Sequence, residues 1–233
     1  MTPPPGHASR EMAHDRYYGL FPATVAALEG DPEDRQRVQV SLDWLPLSDG
    51  SGPAKAWATV IAPYADGEQG YQMLPEIGST VVVGFEAGYP DHPYLVGSAW
   101  NGRSPMPVAP SNANDLRVIQ TRSGTRLEFD DTPGAVAVRL TVGGGADEPV
   151  HKLLLDDATR SITIEASSGA TITLTAAGGV SIEAATTVDV KAAMVTVDAP
   201  ITTFNGVVTC DTLIAKGGGV VSPLYTPGAG NVW

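Results

Sequence analysis

Aliphatic residues two positions apart recur along the C-terminal third of the chain, at Ile162/Ile164, Ile172/Leu174, Val180/Ile182, Val188/Val190 and Val195/Val197. The period is about eight residues, longer at the first step and shorter at the last. Within each unit the alternation is that of a short β-strand with one apolar face, and Ala-Ala, Gly-Gly or Ala-Thr between units supplies the turn. A single-chain solenoid must travel round its core in each coil, yet eight extended residues reach only about 26 Å, one side of a coil. Phe204 is the only aromatic residue between Ile162 and Val221, so the chain offers little against which to bury these faces. The missing sides must come from other copies. Three chains, each supplying one face per layer, close a triangular prism with all ten of these aliphatic residues at its axis: a triple-stranded, intertwined β-helix in a homotrimer. Alternate side chains occupy opposite faces, so Ile182 points to the axis and Glu183 outward. The competing reading is an ordinary edge sheet or a low-complexity Ala/Thr tail.

Residues 17–100 have a different texture. Short apolar runs, "YYGLFPATVAALE", "RVQVSLDWL", "AWATVIAPY", "TVVVGFEAG" and "HPYLVGSAW", are separated by stretches holding Gly, Pro, Asp and Ser. Five strands in about 85 residues without a helical period suit the five-stranded oligonucleotide/oligosaccharide-binding (OB) barrel. This part carries every Trp except Trp233 and nearly all the Tyr and Phe, enough for a conventional core. The expected all-β organisation is an N-terminal arm over 1–16, the barrel over 17–105, a connector and start of the needle over 106–160, the repeat needle over 161–200 and an apex over 201–233. The apex breaks the period, yet Asp211 and Lys216 are its only charges, which favours an ordered tip over a frayed tail.

The formal charge of −12 is spread over both halves and argues against capture of nucleic acid or anionic membrane. Cys210 is the only cysteine, so the fold has no intrachain disulfide framework. The opening "MTPPPGHASREMAHD" lacks the apolar segment of a secretory signal, and no run of about 20 apolar residues follows. The expectation is a protein made in the cytoplasm that leaves the cell, if at all, inside a particle or through a machine.

Candidate chemistry is sparse. Glu128, Asp130 and Asp131, and again Asp156 and Asp157, are carboxylate clusters of the kind that bind Ca²⁺ or act as acid and base. Each Asp-Asp pair sits at a strand-to-turn junction, "DDTPG" or "DDATRS", where Asp side chains accept backbone N–H bonds, so turn chemistry is the expected role. Asp91 and His92 with Ser98 or Ser104 lack a nucleophile elbow, and "YPDHPY" reads as a Pro-bracketed hairpin. The glycine runs at 142–147 and 216–221 lack the Lys-Ser/Thr of a phosphate loop and read as bends. Tyr17, Tyr18, Trp44, Trp57, Tyr64 and Tyr71 would suit a stacking platform for single strands, but so acidic a chain points to barrel core or protein contact. No catalytic residue, cofactor or metal ligand is assigned.

The stretch "WATVIAPYADGEQGYQMLPEIGSTVVVGFEAGYPDHPYLVGSAWNGRSP" (57–105), preceded by "RVQVSLDWLP" (37–46), closely resembles the barrel domain of phage baseplate assembly protein V and of the valine-glycine-repeat spikes of type VI secretion. The following "IQTRSGTRLEFDDTPGAVAVRLTV" (119–142) is similar to the family segment that leads from barrel to spike. The resemblance implies a homotrimer whose barrels sit at the end of a tube and whose β-helix forms the needle, and it implies no catalyst. Only about 16 residues precede Tyr17 where large type VI spikes carry a hub module, so the hub is expected to be a separate protein. The short stretch between Asn101 and Arg117 leaves no room for the lysozyme domain of some phage spikes. His7, His14, His92 and His151 are scattered, unlike the His-x-His metal pair of certain spike tips. The apex either ends in its own point or docks a small tip protein.

The reading is a structural central spike of a contractile injection particle, in transient contact with the target envelope. Its rivals are a trimeric binding module whose barrel recognises polysaccharide or nucleic acid, and a tail-associated polysaccharide-degrading enzyme.

Overall fold

The computed structural model describes residues 16–102, 104–143 and 151–216. The expected N-terminal arm up to residue 15, with His7 and His14, lies outside the described residues, as do most of both glycine runs and the apex beyond Lys216.

The first five predicted strands all form. They are β1 (Leu20–Ala27), β2 (Val38–Pro46), β3 (Pro53–Val60), β6 (Thr80–Phe85) and β7 (Pro93–Ser98), with a two-residue hairpin, β4 (Ala65–Asp66) and β5 (Gln69–Gly70), between β3 and β6. Hydrogen bonding closes them in the order β1-β2-β3-β7-β6. All neighbours are antiparallel except β3 and β7, whose parallel seam has two register pairs, Thr59 with Tyr94 and Val60 with Leu95. Alternation along each strand sends Ala23, Val25, Val38, Val40, Leu42, Ala54, Ala58, Val81, Val83 and Leu95 inward, where they are almost completely buried.

This core differs from the aromatic one that composition suggested. The lumen of a five-stranded barrel is narrow and is filled by Ala, Val and Leu, so rings are displaced to its ends and its surface. Phe21 and Trp44 stack at 4.8 Å with Tyr17 edge-on to Trp44 at 5.1 Å, and the Trp44 indole N–H donates to the Pro22 carbonyl at 2.9 Å. Tyr18, Tyr64, Tyr71 and Trp100 are exposed.

Two loops are pinned by side chains. Between β1 and β2, the Asp31 carboxylate accepts the backbone N–H groups of Glu33, Arg35 and Arg37 at 3.0–3.2 Å and the Arg37 guanidinium at 2.7 and 3.0 Å. Between β6 and β7, the segment "YPDHPY" closes as a tight connection: Glu86 N–H donates to His92 O and His92 N–H to Tyr89 O, both at 3.0 Å. Gly88 has φ +82°, and a Cβ there would lie 3.2–3.3 Å from Tyr18, Arg16 and Tyr17, so the loop needs glycine to let the incoming chain pass. Arg16 lies over the Tyr89 ring at 3.6 Å and donates to Ala87 O at 2.7 Å.

After the barrel the chain builds a single seven-stranded meander: β8 (Leu116–Gln120), β9 (Arg126–Asp130), β10 (Ala137–Val142), β11 (His151–Asp156), β12 (Ser161–Glu165), β13 (Thr171–Leu174) and β14 (Val180–Glu183), each antiparallel to the next. The sheet therefore begins within the segment expected to hold the connector and the start of the needle, ahead of the regular repeat at 161. Three of its hairpins repeat one loop, "TRSGT" (121–125), "ASSGA" (166–170) and "TAAGG" (175–179). In each the fourth residue, Gly124, Gly169 or Gly178, takes φ of +80 to +83°, and its N–H donates to the carbonyl of the loop's first residue at 2.9–3.0 Å. This is the turn-plus-left-handed-glycine solution for a three-residue hairpin.

Val188/Val190 and Val195/Val197, expected as further strands, are not in strands. Residues 184–216 contain no helix, hydrogen-bonded turn or ladder, and a second compact unit begins at Thr186.

The Arg37 guanidinium, with the backbone donors behind it, holds the Asp31 carboxyl well below the usual carboxylate range. A carboxyl whose folded pKa is depressed contributes stability above its unfolded pKa of about 3.9 and loses it as pH falls through the folded value. The stability gap between the wild type and Asp31→Asn should therefore be constant from neutral pH to about pH 5 and narrow below about pH 4. Denaturant titrations followed by tryptophan fluorescence across that range check this. Leu42→Ala, at a fully buried position, should cost about 2–5 kcal/mol in the same assay.

Candidate interchain interface

Residues directly opposite in an antiparallel pair share a face, so the register of the meander sorts its side chains. One face collects Ile119, Leu127, Phe129, Val138, Leu140, Leu153 and Leu155 with Ile162, Ile164, Ile172, Leu174, Val180 and Ile182. Six of the ten sequence-assigned residues are thus brought together in adjoining rows. Ile172 faces Ile164 on one side and Ile182 on the other. The remaining four, Val188, Val190, Val195 and Val197, lie outside the sheet and are exposed.

Seven residues of this face, from Ile119 to Leu155, precede the repeat on which the sequence reading was built. The signal was present: "RLEFD" and "KLLLD" carry aliphatic or aromatic residues two apart, and "TRSGT" supplies the turn that leads into the first of them. Nothing in the described chain covers the face. Ile164 is 48% and Ile182 58% exposed, whereas Thr163, Thr173 and Ser181 on the opposite side are half-buried. A single-layer sheet with its apolar side in water is not a stable endpoint, because a sheet must bury that side against a second layer. An apolar patch of this extent marks an interaction surface.

The opposite face is mixed, with Leu116, Val118 and Leu154 beside a charge network that satisfies itself at the first strands. Arg139 Nη1 donates to Glu128 Oε1 at 2.9 Å and Asp130 Oδ2 at 2.7 Å, and Arg126 Nε donates to Glu128 Oε2 at 2.9 Å. Farther along, Lys152 and Glu165 form a looser ion pair at 3.6 Å. Four of the carboxylates singled out in the sequence, Glu128, Asp130, Asp131 and Asp156, thus have partners within the chain. Asp130 Oδ1 accepts the Thr132 N–H at 3.0 Å and Asp156 Oδ1 the Ala158 N–H at 2.9 Å, as turn chemistry requires, while Asp131 pairs with Arg117 at 3.0 Å. The Thr132 hydroxyl, followed by Arg139, lowers the Asp130 pKa to about 2. A cleft of about 540 Å³ lies between this face and the segment 106–111, but Asp130 at its wall is already bound by Thr132 and Arg139. Among the described residues no cluster of His, Cys, Asp and Glu has metal-site geometry, and no helix is long and apolar enough to cross a membrane.

Comparison with known proteins bears on both parts of the chain. Residues 21–100 match the family model of the type VI secretion system/phage-baseplate injector OB domain. Residues 148–209 match that of the phage baseplate V C-terminal trimerisation domain, and the two matches together cover more than half of the chain. The chain belongs to the phage baseplate V family of injector spikes. Similar proteins include the type VI secretion system spike protein VgrG3 of Vibrio cholerae, 25% identical over 140 residues, which are 57% of this chain and 14% of VgrG3. The actin cross-linking toxin VgrG1 of the same species is 26% identical over 52% of this chain and 12% of its own length. The spike protein VgrG1a of Pseudomonas aeruginosa is 28% identical over 41% of this chain and 15% of its own. The chain spans only about one-seventh of these relatives. Within the family match, the trimerisation segment takes in the rows from Leu153 to Ile182 and continues past the meander to residue 209.

Because the Thr132 hydroxyl is the larger influence on Asp130, Thr132→Val should raise the Asp130 pKa from about 2 by more than Arg139→Met does. Carboxyl carbon chemical shifts followed through an acid titration report both.

Proposed function

We propose that this chain is the structural central spike of a contractile injection particle: a phage tail, a phage-derived bacteriocin or an extracellular injection system. Three copies turn the apolar faces of their meanders to a common axis and close the prism that one copy leaves open. The observation that carries this is the uncovered face of the meander, whose strands β11–β14 lie inside a segment matching a trimerisation domain. The ten sequence-assigned residues, Ile162 to Val197, form the axial core in this reading, joined by the seven from Ile119 to Leu155.

The geometry suits a part loaded along its length. Each meander is a continuous ladder, so bending the needle requires breaking rows of backbone hydrogen bonds together with the apolar contacts behind them. Sheath contraction drives the tube, and the needle meets the target envelope first. The barrels join a baseplate hub protein at the tube end, and the apex ends in its own point or carries a small tip protein. No enzymatic step is assigned to the chain, and its acidic surface does not favour nucleic acid.

The purified chain should sediment as a trimer even when dilute; a stable monomer overturns the reading. Ile182→Ala removes one buried side chain per copy at about 2–5 kcal/mol each. Ile182→Asp should be worse, since it brings three carboxylates into an apolar layer, whereas Glu183→Ala on the opposite face should change little. Resistance of the trimer to heat in detergent ranks these variants. Equal resistance of Ile182→Asp and Glu183→Ala would show that the face bearing Ile182 is not the core. Proteins that co-purify with the chain in an intact particle identify the hub, the tip and the particle type.

A further inference from the structure

The meander has two margins, formed by the ends of its strands, and their charges differ from strand to strand. One margin holds the start of β11, with His151 and Lys152, and the end of β12, with Glu165. The other holds the end of β11, with Asp156 and Asp157, and the turn into β12, with Arg160. Both strands run from basic to acidic, but they are antiparallel, so along each margin the sign of the charge reverses between β11 and β12. The register also sets Val142 opposite His151 on the apolar face, one row beyond Leu140 and Leu153. At the other margin that face opens into a concavity of about 310 Å³, lined by Val136, Val138, Leu155 and Ile162 with Asp157 and Arg160. His151 and Asp157 are exposed, and among the described residues neither side chain has a hydrogen bond or an ion pair.

One copy cannot bring its own margins together. His151 and Asp157 lie six residues apart in sequence, about 20 Å of extended chain. Threefold rotation about an axis that runs across the strands does bring such margins together. It leaves every strand at its own height and turns one margin of each copy to the opposite margin of the next. The start of β11 in one copy then meets the end of β11 in its neighbour: His151 arrives at Asp157, Val142 at Val136, and one strand on Glu165 arrives at Arg160.

We propose that the concavity beside Asp157 receives Val142 and His151 of a second copy, and that this contact, with Arg160 facing Glu165, fixes the axial alignment of the three copies. The imidazole lies against Leu155 and Ile162 and donates a hydrogen bond to the Asp157 carboxylate. This rests on the trimeric reading above and adds what aligns the copies. The apolar rows cannot do so alone, because Leu153/Leu155, Ile162/Ile164 and Ile172/Leu174 present nearly the same surface, and sheets displaced by one strand would bury similar areas. Charge separates the two arrangements. A copy displaced by one strand in either direction sets His151 and Lys152 against Arg160 at one seam and Glu165 against Asp156 and Asp157 at the other. Juxtaposed like charges disfavour both seams. In the aligned arrangement every one of these groups meets its opposite, and the loose Lys152–Glu165 pair at 3.6 Å leaves both of its members able to reach across.

Cysteine pairing in the full-length chain reads this contact, with Cys210→Ser removing the native thiol. His151→Cys and Asp157→Cys in one chain cannot bond to each other, since a disulfide needs Cα atoms within about 7 Å. Mild oxidation should therefore link the copies into a covalent trimer on a non-reducing gel. His151→Cys combined with Asp131→Cys, two strands away along the Asp157 margin, should not cross-link. Cross-linking through position 131 instead, or no cross-link in a protein that sediments as a trimer, overturns the inference and leaves the spike reading standing. Should the doubly substituted chain fail to assemble, exchange of the charges decides. His151→Asp should lower by several degrees the temperature at which the trimer dissociates in detergent, and adding Asp157→His should restore most of the loss; no restoration overturns the inference. A wild-type chain that sediments as a monomer overturns the spike reading itself.

Discussion

A β-sheet one layer thick has two faces and only one can be left to water. In this chain the register of seven consecutive antiparallel strands places nearly every large aliphatic residue of 116–183 on the same side, and the described chain has no second layer to lay over it. The short polar turns, the scarcity of aromatic residues and the self-contained charge network on the opposite side all follow from a sheet that is built to meet copies of itself. Charged residues are tolerated where the opposite face lets Arg126, Arg139, Glu128 and Asp130 satisfy one another.

The barrel answers the same problem differently. By closing its sheet it creates an interior that one copy can fill, and it does so with Ala, Val and Leu because a five-stranded ring has no room for more. Its aromatic residues go to the end near Tyr17, Phe21, Trp44 and Phe85, or remain at the surface. One chain thus combines a domain that is complete in itself with one that is incomplete by construction.

Much of this was legible in the sequence because both faces of a strand write themselves at period two. The five barrel strands could be read from alternation and turn residues, and so could the shared face of Ile162, Ile164, Ile172, Leu174, Val180 and Ile182. Residues 116–156 show where the reading stopped short: their alternation is as clear, but it is spread over unequal loops and so escapes a search for a fixed period. The Arg126–Glu128–Arg139–Asp130 network was not legible, because β9 and β10 bring Arg139 opposite Glu128 only once the register is known. The barrel core was misjudged because composition counts rings without saying whether a closed lumen can hold them. The most informative omission was small. Ala-Ala and Gly-Gly are not equivalent separators: each described hairpin of the meander carries a residue in the left-handed region, as at Gly124, Gly134, Arg160, Gly169 and Gly178.

The barrel wall has one short joint. Where its antiparallel neighbours share three or more register pairs, β3 and β7 meet over two, extended by the Ile61 N–H donating to Leu95 O at 3.0 Å. The long excursion of residues 61–79 leaves the wall beside that joint. A hoop under radial stress opens where its seam is shortest, so the barrel has a built-in place to part without unthreading any antiparallel pair.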